Sequence, residues 1–214
     1  MHDATATRDR LIAARVVPVL RFENAAQARF AIDCLLEAGF ATVEITLTTP
    51  DAIALIAELR SRVPESFMIG AGTVLNARQA GECIAAGADY LVSPCVAAGV
   101  AKLAHDAGCA ALLGAFTPSE VLAALEQGSD IVKLFPAATG GPSHLAALHA
   151  VFPDTTFCPT GGVNADNMHA YFEAGAKLVG VGNSIIDRQA LQDSDQARAT
   201  SLARRYLKQA GVVQ

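Results

Sequence analysis

The 214-residue chain has no tryptophan, and charged residues make up only 17% of it. Its Lys and Arg residues are scattered, no run of them is interleaved with aromatics, and the formal net charge is -5. A nucleic-acid surface needs a basic stripe or patch, so no nucleic-acid partner is expected. No apolar run reaches the ~18 residues of a spanning helix, and the N-terminal stretch MHDATATRDR has no apolar h-region. No membrane partner is expected, and the chain reads as a cytoplasmic protein. Cys34, Cys83, Cys95, Cys109 and Cys158 form no CxxC pair and leave one over, which suits reduced, mostly buried thiols better than disulfides or a zinc cluster. None of His2, His105, His144, His149 and His169 falls at a strand end, so a His-based triad or a metal site has little material. Neither metal nor cofactor is expected.

What the chain does have is apolar material. Hydrophobic residues are 52% of it, enough for a sizeable core, and residues 1–214 read as a single domain. EAGFATVEI, AAGADYLVS, DAGCAALLG, EQGSDIVKL and EAGAKLVGV each join a helix-like segment to a β-branched run through a glycine. Gly39, Gly87, Gly108, Gly128 and Gly175 therefore read as left-handed helix C-caps. RVVPVL, VPESFMIGAG and FPDTTFCPTGG supply three more units. Eight strands result, beginning near Val16, Thr42, Phe67, Asp89, Ala110, Asp130, Thr155 and Lys177, every 20 to 26 residues. Helix starts are signalled by Asn24 with Gln27, by Thr49-Pro50, by the capping box from Thr117 to Glu120, and by Asn164. The alternation predicts an α/β fold, a (β/α)8 TIM barrel in preference to an open doubly wound sheet. A short N-terminal helix is predicted in ATATRDRLIAA and a last helix in DQARATSLARRYLKQAG.

In such barrels chemistry comes from the carboxyl ends of the strands. The polar residues there are Arg21, Glu44, Thr46, Thr73, Ser93, Lys133, Thr160 and Ser184. Residues two apart share a face, so Val17, Val19 and Arg21 form one row, Thr42, Glu44 and Thr46 another, and Ile131, Lys133 and Phe135 a third. If the rows face the barrel axis, Glu44 and Lys133 converge. Lys133 stands in DIVKLFPA among apolar neighbours, and lysine is almost never fully buried without a partner. One reading is a buried ion pair, which has to offset several kcal/mol of desolvation per ion. The other is a Schiff-base lysine that attacks a carbonyl as the neutral amine, a form favoured by apolar surroundings, with Glu44 moving protons.

Strands seven and eight end in PTGGVNADN and GVGNSII. Gly161 and Gly162 let backbone amides approach a ligand, Asn164 opens a helix, and Gly180 and Gly182 precede Asn183 and Ser184. Together they read as a phosphate site. GAGTVLN repeats the glycine device at the third strand, where Thr73 adds a hydroxyl. Cys95 beside Pro94 reads as an inert small hydrophobe in preference to a site residue, and Cys158 as core packing.

VVPVLR, VEITLTTPDA, GAGTVLN, LVSPCV, VKLFPA, CPTGGVNADN and GVGNSI follow one another between about residues 15 and 187. In this order they resemble the bacterial aldolases that cleave 2-keto-3-deoxy-6-phosphogluconate (KDPG) and, in many members, 4-hydroxy-2-oxoglutarate (KHG). The resemblance implies a class I aldolase, a lyase on a (β/α)8 barrel, that splits KDPG into pyruvate and glyceraldehyde 3-phosphate, or KHG into pyruvate and glyoxylate. It implies Lys133 as the Schiff-base lysine, Glu44 as general acid and base, and Thr160 beside the reacting centre. Thr73 matches a residue at the pyruvate carboxylate, Pro94 and Phe135 match pocket walls, and Gly161, Gly162 and Ser184 match phosphate binders. It also implies a homotrimer.

One position departs from the family pattern. Many members carry an arginine that grips the substrate carboxylate where this chain has Thr48. Arg21 is the candidate replacement, since other members of the family it resembles, including relatives acting on the galactonate epimer, also carry an arginine there. The swap leaves the preferred epimer open. A phosphate-binding barrel without covalent chemistry, such as a sugar-phosphate epimerase or a metal-assisted pyruvate aldolase, is the nearest rival, and it needs more strand-end ligands than Glu44 supplies. A non-catalytic phosphosugar-binding barrel is the other.

Overall fold

A strand buried on both faces needs cover on both, and Val, Ile, Leu and Ala fill both faces of this chain's strands. The computed structural model describes residues 3–212. The order is α1 (Ala4–Ala14), β1 (Val16–Leu20), α2 (Ala25–Ala38), β2 (Thr42–Thr46), α3 (Ala52–Arg62), β3 (Met68–Gly72), α4 (Ala77–Ala85) and β4 (Tyr90–Val92). There follow α5 (Val100–Asp106), β5 (Ala110–Ala115), α6 (Pro118–Glu126), β6 (Ile131–Leu134), α7 (Ala137–Val151), β7 (Phe157–Pro159), α8 (Met168–Glu173) and β8 (Val179–Val181). A 3-10 turn (Asn183–Ile185), α9 (Arg188–Asp193) and α10 (Gln196–Gln209) complete it.

The strands lie in the order β7-β6-β5-β4-β3-β2-β1-β8, all parallel, and one bridge from Thr160 to Gly180 joins the two ends into a barrel. Alternate residues part into two cores. Val43, Ile45, Ile69, Leu91, Leu113 and Val132 pack outward under the helices. Val17, Met68, Tyr90, Leu112, Ile131 and Cys158 fill the interior together with Leu11 and Ala14 of α1. Helix α1 thus floors the barrel at the end where the strands begin. No helix among the described residues is long and apolar enough to cross a membrane.

Val16, Thr42 and Ala110 begin their strands as expected; Met68, Tyr90 and Ile131 come one residue later than expected, and Phe157 and Val179 two. The displaced acids have work outside the strands. Asp89 and Asp130 accept the Ile69 and Ala111 amides of the preceding strands at 2.7 and 2.8 Å. The five C-cap glycines all have φ between 75° and 108°. Asn24 caps α2 through the Gln27 amide, and the Thr117–Glu120 capping box is complete.

Two helix starts differ. α3 begins at Ala52, after Asp51, because Thr49 turns inward and its Oγ1 accepts the Phe22 amide at 3.3 Å. α8 begins at Met168, because Asn164 heads a separate turn in which it accepts the Asp166 and Asn167 amides at 2.8 and 3.1 Å. The short helix α9 was not anticipated.

Cys34, Cys83, Cys109 and Cys158 are buried and unbridged, while Cys95, read as an inert small hydrophobe, is exposed. Burial pushes the Cys83 and Cys158 thiols up to about 12 and Cys109 to about 11. The thiolate is the reactive form, so buried thiols with raised pKa are inert at pH 8. Iodoacetamide at that pH should alkylate Cys95 alone in the native protein and all five cysteines after denaturation. Intact-mass measurement before and after guanidinium checks the count.

Candidate active site

Glu44 from β2 and Lys133 from β6 meet across the barrel with Lys133 Nζ 3.4 Å from Glu44 Oε1. They are 2% and 6% exposed, so this is a buried pair with few competing waters. The Phe135 ring centroid lies 5.6 Å from Nζ, within cation–π range.

The carboxylate reaches the amine through space left by Gly72. A Cβ there would collide with Glu44 Oε1 and sit 2.8 Å from Cδ. Two residues earlier on the same face, Gly70 makes the matching room for the Tyr90 ring. Thr42 Oγ1 donates to the Met68 carbonyl at 3.0 Å, which leaves the Tyr90 hydroxyl to donate to Thr42 Oγ1 at 2.9 Å. Burial, and secondarily the nearby Glu44 charge, holds the Tyr90 phenol well above its ordinary value, so it stays neutral. The glycines of GAGTVLN therefore clear space for Tyr90 and Glu44, which corrects the expectation that they repeat the anion-cradling device.

Above the pair opens a cavity of about 690 Å³. Lys133, Glu44, Thr160, Arg21, Thr73, Pro94 and Phe135 line it, and so do Gly161, Gly162, Gly182, Asn183 and Ser184. The rows inferred from residue parity thus do face the axis. Thr48 does not line this cavity; it is exposed, and its hydroxyl donates to Thr46 Oγ1 at 2.9 Å, since Thr46 spends its own proton on the Leu20 carbonyl. Val19 and Thr46, on the rows read as facing the axis, and Asn164, in the glycine-loop stretch, also line the cavity, as does Val163, which had not been singled out.

Thr160 is buried and donates to the Cys158 carbonyl at 3.3 Å, with Gly180 leaving room for its side chain. Thr73 holds φ at 62°, a conformation unusual for a β-branched residue and one that clusters at functional sites. The Asn183 carboxamide accepts the Arg21 amide at 3.0 Å and donates to the Arg21 carbonyl. The Arg21 guanidinium has no hydrogen-bond or ion-pair partner among the described residues. Ser93 is buried below Cys95, accepting its amide at 3.4 Å, and Cys95 does not line the cavity.

His105, His144, His149 and His169 stand on helices, and His2 lies outside the described residues. Among the described residues no group of three or more His, Cys, Asp or Glu side chains is placed to hold a metal ion. What the site offers is an amine and a carboxylate in contact at the base of a pocket whose rim is lined by glycine loops and a free guanidinium. That set can form an imine with a ketone, move a proton beside it and hold anionic groups at either end.

Residues 7–202 match the family model for KDPG and KHG aldolases. A probable 2-dehydro-3-deoxy-6-phosphogalactonate aldolase of Rhizobium meliloti is 36% identical over 171 residues, covering 79% of this chain and 81% of that protein. The KHG/KDPG aldolase of Escherichia coli K12 is 33% identical over 201 residues, 94% of each chain. The crystal structure of the KDPG aldolase from Legionella pneumophila, with pyruvate captured at low pH as a covalent carbinolamine intermediate, superposes with a TM-score of 0.84. Its identity is 31%, over 92% of this chain and 96% of that one. With sequence match and fold in agreement, this chain belongs to the KDPG and KHG aldolase family of aldehyde-lyases.

Proposed function

We propose that the protein is a class I aldolase that cleaves KDPG to pyruvate and glyceraldehyde 3-phosphate, with KHG as a further substrate, working as a single barrel domain in a cytoplasmic homotrimer. The observation that carries this is the 3.4 Å contact of Lys133 with Glu44, buried yet opening on the cavity. A buried ion pair is a poor stabilising device, since desolvation of both ions opposes it, and its place at the base of a pocket points to chemistry. The covalent pyruvate adduct of the Legionella pneumophila relative supports the same reading.

In this mechanism the Lys133 amine attacks the C2 ketone and water departs, leaving a protonated imine. Glu44, through a water, takes the proton of the C4 hydroxyl. The C3–C4 bonding pair flows into the imine, glyceraldehyde 3-phosphate leaves, and the remaining enamine is protonated at C3 and hydrolysed to pyruvate and free lysine. Thr160 stands beside the reacting centre. Arg21 and Thr73 hold the substrate carboxylate, and Pro94 and Phe135 wall the pocket. Gly161, Gly162, Gly182 and Ser184, with the Asn183 amide, take the phosphate. The Asn183 and Ser184 amides belong to the first residues of a 3-10 turn, which no intrahelical carbonyl satisfies.

A second reading, the galactonate epimer as preferred substrate, is favoured by the Rhizobium meliloti relative. Specificity constants on KDPG, its galactonate epimer and KHG decide between them. The covalent step has its own test: borohydride with pyruvate should add one reduced pyruvyl mass to the peptide carrying Lys133. Absence of that adduct from the wild-type enzyme would sink the mechanism.

A further inference from the structure

The end of β1 is held from both neighbouring strands by side chains. The Leu20 carbonyl receives Thr46 Oγ1 at 3.0 Å, the Phe22 amide reaches Thr49 Oγ1 at 3.3 Å, and between them both Arg21 backbone groups pair with the Asn183 carboxamide. Three consecutive residues, from the last of the strand onward, are thus fixed through four hydrogen bonds to three side chains. The Arg21 side chain itself is unheld. It borders both the central cavity and a neighbouring one of about 630 Å³ next to Arg188 and Leu191. A long side chain with two cavities before it is aimed chiefly by where its backbone is fixed.

We propose that the Asn183 side chain is a positioning residue for Arg21, fixing the backbone from which the guanidinium reaches the carboxylate of the keto acid. This rests on the reading of Arg21 as the carboxylate grip. It separates two roles within one residue: the Asn183 amide is assigned to the phosphate, whereas its carboxamide serves the opposite end of the substrate. Asn183→Ala removes the second role and keeps the first.

Pyruvate carries the carboxylate and no phosphate, so the pyruvate concentration that half-saturates borohydride trapping on Lys133 reads the grip alone. Wild type, Asn183→Ala, Arg21→Ala and the double variant form a cycle. Arg21→Ala should raise that concentration on the order of 10- to 100-fold, as expected for a lost charge-assisted hydrogen bond. Asn183→Ala should raise it about tenfold, and the double variant should be no worse than Arg21→Ala. Wild-type trapping by Asn183→Ala, or a full additional loss in the double variant, overturns the positioning role while leaving the grip intact. An Arg21→Ala protein that traps pyruvate like wild type overturns the grip, and the positioning role with it. Should Asn183→Ala fail to fold, Asn183→Asp replaces it in the cycle: it still accepts the Arg21 amide but cannot donate to the carbonyl, and an intermediate shift is expected.

Discussion

Replacing Lys133 with methionine is expected to lower pyruvate release by a factor on the order of 10⁴ or more, because the proposed path runs wholly through a covalent intermediate on this amine. The same variant should also be less stable. It leaves the Glu44 carboxylate, 2% exposed, without its cation. Breaking a buried pair by deleting one partner costs about 3–5 kcal/mol, most of it for the charge left behind. The double variant Lys133→Met, Glu44→Gln removes that charge and should recover much of the stability while staying inactive. Chemical denaturation of both variants beside wild type, with a lactate dehydrogenase-coupled assay, checks the two effects separately. If Lys133→Met retained measurable aldol cleavage, covalent catalysis through this residue would be wrong.

The second large effect is expected from a residue that carries no functional group. Gly72→Ala would place a methyl carbon against Glu44 Oε1 and 2.8 Å from Cδ, so the carboxylate has to move. General acid–base catalysis contributes about 10²- to 10⁴-fold, and displacement of Glu44 should forfeit much of it. Gly72→Ala and Glu44→Gln should therefore show similar losses in kcat, while each still forms the borohydride-trapped pyruvate adduct, although more slowly. A Gly72→Ala enzyme with wild-type kcat would mean that Glu44 tolerates displacement and that its position is not what catalysis uses. Comparison with Gly70→Ala controls for overpacking, since there the clash falls on the Tyr90 ring and should appear first as lost stability.

The meeting of Lys133 and Glu44 was legible because two simple signals coincide at it. A strand places alternate residues on one face, and DIVKLFPA puts its charge on the face shared with Ile131 and Phe135. Glu44 shares its face with two threonines, so parity alone turned both groups toward the axis. The glycine caps were equally readable, since φ near 96° at Gly39 or Gly87 is a local demand. Gly72 was not readable as a space-maker. Its clash with Glu44 depends on how far β2 and β3 are staggered, here with Thr46 level with Gly72, and neither segment encodes that stagger by itself. The Asn183–Arg21 pairing joins residues 162 positions apart, with no local pattern at either end. At Thr49-Pro50 the local signal for a helix start was outcompeted by a hydrogen bond from Phe22, a contact that exists only once β1 and β2 lie side by side.

Where β2 and β3 share five register pairs, β7 and β8 meet through the single bridge between Thr160 and Gly180. The ladder is therefore thinnest on that side, one pair against two at β1–β2 and β3–β4, and the loops assigned to the phosphate stand one on each side of this seam. A substrate spanning Gly161 and Ser184 would act as a missing rung, spending part of its affinity on holding the cylinder shut. Such a ligand, bound only to the closed form, stabilises that form by about 2.7 kcal/mol at a hundredfold excess over its Kd. The empty enzyme is expected to breathe along this line, through openings far smaller than global unfolding. On the proposed phosphate assignment, occupancy should suppress them, and substrate would then complete the closure of the barrel.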